Sequence, residues 1–194
     1  MRVITGSAKG RKLLAVPGDR TRPITDRTKS ALFSILGQSV VDSRFLDLFG
    51  GTGGVGIEAL SRGAAEVVFV EIDRLAVRTI GENLRRTGLA DRAHVVRGDS
   101  FAFLSQSHAQ PFDFIYVAPP QNLGLWLKTL QTIDLYPSLL APEAEVIVQI
   151  HPKERQDLAL HSLELLDERT YGSTRLLFWG PPAPVGEAEQ GRVE

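Results

Sequence analysis

With 194 residues, 43% hydrophobic and 23% charged, the chain matches one globular domain and excludes disordered or collagen-like architectures. It lacks cysteine, which removes disulfides, thiolate metal sites and cysteine nucleophiles, and no apolar run nears the ~18 residues of a membrane span or forms a secretory leader. The net charge of −1 at pH 7 is unevenly spread, and the expected setting is the cytoplasm, with no membrane contact, no metal and a monomeric state.

Residues 2–16 read as a small hairpin turning near Lys9-Gly10. Residues 1–30 carry eight Lys/Arg and two Asp/Glu, a cationic arm on an acidic body, which suits a polyanionic partner. "TDRTKSALFSILG" predicts a helix capped by Thr25 or Asp26, with Leu32, Ile35 and Leu36 inward and Gly37 as its stop. "RFLDLF" (44–49) is a buried strand, and the glycine-rich run after it opens a helix near 55–62. "EVVFVE" (66–71) is the next strand, and Asp73 caps the helix that follows and ends at Gly88. Further strands are expected at 94–99, 112–118 and 145–151, separated by helical segments near 101–106 and 123–135. "LELLDER" and "STRLLFWG" form a closing hairpin about Tyr171-Gly172, with one antiparallel edge strand. The alternation predicts an α/β fold, a mostly parallel seven-stranded sheet covered on both faces. The organisation reads as a basic hairpin-and-helix extension (1–37), a main domain (38–180) and a disordered Pro/Gly/Glu-rich tail (181–194).

The chemistry concentrates in "DLFGGTGGVGIEA", residues 47–59. Gly51, Gly53 and Gly56 stand where a strand breaks into a helix, as a nucleotide site demands: the turn needs positive φ and the ligand must approach bare backbone. Glu71 ends the next strand, where a carboxylate can accept from both ribose hydroxyls. Asp99 ends the third, where it can accept from an adenine amine. Phe49, Thr52, Ile72 and Ser100 adjoin these groups and join the candidate cofactor-binding set. The pattern alone admits a dinucleotide or S-adenosyl-L-methionine. The latter is favoured because Asp47 precedes the glycines, near the place of a methionine ammonium, because no second half-sheet follows, and because the closing hairpin supplies a single reversed strand.

"FDFIYVAPPQ" ends the fourth strand in a rigid corner. Pro119 and Pro120 have fixed φ and no N–H, so their carbonyls and that of Ala118 are free to accept from a substrate amine. Open α/β sheets gather ligands outside the carboxyl ends of their strands. The four histidines lack metal-ligand spacing, and no nucleophile elbow supports hydrolase chemistry.

From "RVITGSAKGRKL" through "RPITDRTKSALFSIL", "DLFGGTGGVGIEALSRGA" and "EIDR" to the Pro-Pro corner, the chain resembles the bacterial 16S ribosomal RNA guanine-N2 methyltransferases of the RsmD type. The resemblance implies a class I, Rossmann-like methyltransferase fold, S-adenosyl-L-methionine as donor, and guanine of 16S rRNA or the assembling small subunit as acceptor. It places Arg22 and Thr25 near the methionine end of the cofactor, with Arg2, Lys9, Arg11, Lys12 and Arg27 on RNA. The family's corner is Asp or Asn, two prolines, then Tyr or Phe; here it is Ala118, Pro119, Pro120 and Gln121. Three readings of this catalytic corner stay open. The Gln121 amide can accept from the amine, with Tyr116, Phe101 or Trp126 stacking on a flipped base. Backbone carbonyls can suffice, since methyl transfer asks mostly for alignment. Or the protein binds cofactor and RNA but methylates weakly. A methyltransferase acting on another RNA or a small amine, and a nicotinamide dehydrogenase, are the remaining alternatives.

Overall fold

The computed structural model describes residues 1–18 and 24–182. Its strands are β1 (Arg44–Leu48), β2 (Glu66–Glu71), β3 (Ala93–Arg97), β4 (Phe112–Val117), β5 (Leu140–Ile150), β6 (Glu164–Tyr171) and β7 (Thr174–Gly180). Its helices are α1 (Asp26–Leu36), α2 (Gly54–Ser61), α3 (Arg74–Thr87), α4 (Ser100–Leu104) and α5 (Leu125–Leu135). The strands form one seven-stranded sheet in the order β3-β2-β1-β4-β5-β7-β6. β1 pairs in parallel with both β2 and β4, β2 with β3, and β4 with β5. Strand order reverses between β1 and β4, so the helices leaving these two strands depart to opposite faces. The crevice between them is where such sheets bind ligands.

Because both faces are covered, the central strands are near-continuous apolar runs. Alternate residues serve opposite cores. Phe45, Val67, Phe69, Phe114, Tyr116 and Ile147 pack under α1, α2 and α3. Leu46, Leu48, Val68, Val70, Ile115, Val117 and Val148 pack under α4 and α5. Val3, Ala8, Leu13 and Ile24 of the N-terminal segment enter the first of these cores.

The mostly parallel sheet with one reversed strand matches the sequence reading, but that strand is not the edge. β7 runs antiparallel to both neighbours and lies between β5 and β6, which leaves β6 at the margin. An interior place explains the apolar run LLFW, buried from Leu176 to Trp179. The N-terminal hairpin is reduced to one bridge between Arg2 and Lys12, supported by Val3 N–H to the Arg11 carbonyl at 3.0 Å and Gly10 N–H to that of Val3 at 2.9 Å.

α1 also turns differently from its expected face. Leu32, Phe33 and Leu36 are buried, but Ile35 is 43% exposed and Lys29 is wholly buried. The Lys29 ammonium sits 3.3 Å from Glu58 and donates to the carbonyls of Arg2 (2.7 Å) and Gly54 (3.3 Å). Glu58 in turn accepts from the Ile4 and Thr5 N–H groups and from Arg62. One buried cluster therefore ties the arm, α1 and α2 together. The arm's charge is not all available to a partner.

Candidate active site

β1 breaks at Phe49, which takes φ 60, an uncommon left-handed conformation for a bulky residue. Gly51 (φ 54) and Gly53 (φ 74) continue the turn into α2, so here the expected need for positive φ holds. Gly56 is different: it is helical, and a Cβ there would meet the Phe69 ring at 2.3 Å and Val67 at 2.8 Å. Its role is close packing of α2 on β2, which sets the helix N-terminus against the strand ends.

The residue before α2, Gly53, has no side chain with which to cap it. Instead Asp47, buried on β1, accepts from the Gly56 N–H at 2.9 Å through Oδ2. Burial, aided by the charge of Glu71, pushes the Asp47 carboxyl up to about 7 despite that hydrogen bond. Its Oδ1 makes no hydrogen bond among the described residues and is not cut off from solvent. Glu71 ends β2 and accepts from Gly51 N–H (2.9 Å, Oε2) and Asp73 N–H (2.8 Å, Oε1). Each oxygen keeps acceptor capacity toward the cleft. The same carboxylate thus shapes the glycine turn and remains available to a ligand.

These groups border a cleft of about 500 Å³ at the carboxyl ends of β1, β2 and β4, a size usual for a small-molecule site. Of the residues singled out in the sequence, it brings together Asp47, Phe49, Gly51, Thr52, Glu71, Ile72, Ala118, Pro119, Pro120 and Gln121. Ile72, 64% exposed, forms an apolar rim. Gly53 and Gly56 lie behind the lining. Asp99 is exposed outside it and caps α4 through Ala102 N–H at 2.9 Å, with Ser100 buried beside it. Thr25 caps α1 through Thr28 N–H and borders a neighbouring depression. Arg22 lies outside the described residues.

At the corner, the carbonyls of Pro119 and Pro120 accept no hydrogen bond among the described residues. Asn122, at φ 64, donates its N–H to Glu154 at 2.7 Å, and Glu154 also accepts from His151 N–H at 3.0 Å. This acid, which sequence reasoning missed, clips the corner's exit to the end of β5. Among the aromatics named as stacking partners, Trp126 is buried in the core under α5 and offers no face. Phe101 meets Phe49 edge-on at 6.3 Å with the Lys128 ammonium over its ring. Tyr116 is buried beneath the cleft and donates its hydroxyl to Gln149. Gln149 also lines the cleft; its signal was an amide inside the apolar strand "EVIVQI". Met1, Val16, Pro17 and Ile24 close one wall.

The basic side chains of the arm lie at the surface: Arg2, Lys9, Arg11, Lys12 and Arg27 are exposed. Arg2 pairs with Asp26 at 3.5 Å, and Arg11 reaches the Arg86 carbonyl at 3.0 Å at the end of α3. Among the described residues no group of three or more acids and histidines could hold a metal, and no helix is long and apolar enough to cross a membrane.

Comparison with known proteins agrees with this architecture. The family model described as "Conserved hypothetical protein 95" matches residues 1–180. Ribosomal RNA small subunit methyltransferase D of Escherichia coli is 37% identical over 77% of this chain and 74% of its own length. The solved Escherichia coli chain yhhF superposes with a TM-score of 0.81 at 34% identity, covering 95% of this chain and 99% of that one. An RNA methyltransferase of Salinibacter ruber, solved with S-adenosyl-L-homocysteine, shares the fold at 17% identity and a TM-score of 0.64, with 88% of this chain and all 100% of that one covered. The fold is that of the class I methyltransferases, and the chain belongs to the family of ribosomal RNA small subunit methyltransferase D.

Proposed function

We propose that this protein methylates the exocyclic N2 amine of a guanine in 16S rRNA, free or within the assembling small subunit, with S-adenosyl-L-methionine as donor. The observation that carries the reading is one cleft in which Asp47, Glu71, the glycine turn and the Pro-Pro corner converge. The residues fit the cofactor. Asp47 aims an unpartnered oxygen into the cleft to meet an ammonium, Glu71 has acceptor capacity for ribose hydroxyls, and Gly51 with Thr52 offers backbone at close range. Phe49, Ile72 and Leu75 supply apolar surface for a purine.

When bound, the cofactor supplies an electrophilic methyl group, which the amine nitrogen takes as the carbon–sulfur bond breaks and its electron pair stays on sulfur. A guanine amine is a weak nucleophile, so the protein's task is alignment. The Ala118 and Pro119 carbonyls hold the amine hydrogens and orient the nitrogen lone pair, and the proton released on transfer passes to water through the open mouth of the cleft. Gln121 flanks the same place. The exposed cations of the arm hold the RNA by its phosphates, while the target base leaves its stack to reach the corner.

A second reading, weak catalysis with intact binding, draws support from Ala118 and Gln121, which stand where the resembled family carries Asp or Asn and Tyr or Phe. One experiment tests both. S-adenosyl-L-homocysteine is titrated calorimetrically, and the protein is then incubated with S-adenosyl-L-methionine and in vitro transcribed 16S rRNA, free and assembled. Mass mapping that finds one N2-methylguanine supports the first reading. Binding without methylation supports the second, and absence of binding removes both.

A further inference from the structure

We infer that Gln149 reads an acceptor oxygen on the target base, its own amide oxygen being engaged by the Tyr116 hydroxyl; the inference rests on the function proposed above. β4 and β5 run parallel with Tyr116 beside Ile147 and Val117 beside Val148. One step further along this register, Gln149 stands beside Ala118. Neighbours in a parallel ladder point to the same side, and side chains two apart share a face. Tyr116, Ala118 and Gln149 therefore crowd one patch at the cleft floor, and all three line it.

Position 118 contributes only a methyl group, and the Tyr116 hydroxyl is engaged with Gln149, which leaves the Gln149 amide as the group of that patch with donors to spare. Its Oε1 accepts from the Tyr116 hydroxyl. Its Nε2 makes no hydrogen bond among the described residues, yet it is not a buried orphan: the one polar side-chain atom of that kind there is Trp179 Nε1. Because Gln149 lines the cleft, its amide N–H groups are left to donate to a ligand there. A buried site built around a donor discriminates strongly, because the wrong partner leaves it unsatisfied.

The chemistry then selects the substrate class. A guanine offers its carbonyl oxygen on the same edge as the N2 amine, and adjacent strands are spaced ~4.8 Å apart, comparable to the width of that edge. With the amine at the Ala118 and Pro119 carbonyls, the base carbonyl falls opposite Gln149. A purine with an amine at that place would set donor against donor. Gln149 thereby does by recognition part of what an Asp or Asn at 118 would do by acceptance.

The test compares the parent with Gln149→Met, Gln149→Glu and Tyr116→Phe on in vitro transcribed 16S rRNA, with S-adenosyl-L-homocysteine affinity measured in each. Gln149→Met keeps shape and loses the donor; Gln149→Glu keeps an acceptor for Tyr116 and loses the donor. Both are expected to lower kcat/KM for RNA roughly 10- to 100-fold. Tyr116→Phe should lower it less, and cofactor-product affinity should hold throughout. An active parent whose Gln149→Met or Gln149→Glu variant matches or exceeds it overturns the inference alone. So does a Gln149→Met variant that loses S-adenosyl-L-homocysteine affinity, which would assign the amide to the cofactor. A parent that methylates no RNA overturns the functional reading first, and the inference with it.

Discussion

Burial holds the Asp47 carboxyl at about 7, although the Gly56 N–H bonded to it favours the ionised form. The group therefore stands near neutrality with a proton half retained, and a cationic ligand decides the matter. A methionine ammonium beside it favours the carboxylate, so binding at pH 6 must first expel a proton. Affinity for S-adenosyl-L-homocysteine should rise as pH goes from about 6 to about 8, by up to tenfold per unit below the folded pKa. Apo stability moves the other way. The folded pKa is raised from the ordinary aspartate value of 3.8, so the native state binds the proton more tightly than the unfolded chain, and this group's contribution declines as pH climbs from about 4 to about 7. Asp47→Asn should flatten both profiles and weaken binding; calorimetry and thermal melts across that window decide it, and a variant that keeps the parent's pH dependence removes Asp47 from the ammonium site. The sequence marked Asp47 by its place before the glycines. Its shifted acidity was not legible there, because that depends on packing from α2, β2 and β4.

At the scale of elements, the N-terminal arm is held through charge buried under it. Lys29 and Glu58 are both 0% exposed, and Glu58 also satisfies the Ile4 and Thr5 N–H groups and Arg62. Burial lowers the Lys29 pKa, against the opposing pull of Glu58. Removing one partner of such a pair leaves an uncompensated charge in the interior, at a cost of roughly 3–5 kcal/mol. Glu58→Ala should lose about that much stability in a denaturant melt. Lys29→Met with Glu58→Ala should recover part of it, yet not all, since the two arm N–H groups stay orphaned. Equal stability of Glu58→Ala and parent would show the cluster to be solvated. The same cluster explains why the apolar period of α1 misplaced Ile35. Helical periodicity assumes that charges face water, and the partner that draws Lys29 inward lies on another helix, 29 positions later in the chain. Where the neighbours are local, as in the Asp73 cap of α3 and its Gly88 stop, expected and observed ends agree.

Over the whole molecule, strand–helix alternation made the parallel half of the sheet legible, since each buried strand is a short apolar run bounded by turns. The placement of β7 inside the sheet was not, because a hairpin's sequence does not say which of its strands meets β5. The cleft divides in the same manner. The glycine turn, Glu71 and the Pro-Pro corner are contiguous signals, whereas Gln149 joins the cleft, and Glu154 clips the corner's exit, only through β5 lying beside β4. Charge has a comparable global reading. The chain totals −1, so it has no overall attraction for RNA, and the proposed RNA contact draws on the exposed cations of the arm against a mildly repelling body. Each phosphate neutralised releases counterions, with a slope of about −0.7 per contact on single strands. Activity on rRNA should therefore fall steeply with salt, while S-adenosyl-L-homocysteine binding, made inside the cleft, should change little. Replacing Lys9, Arg11 and Lys12 together by Ala should make the plot of log kcat/KM against log salt shallower by about 2, through KM and with kcat nearly kept. An unchanged slope in that triple variant would move the RNA contact away from the arm and onto another face of the protein.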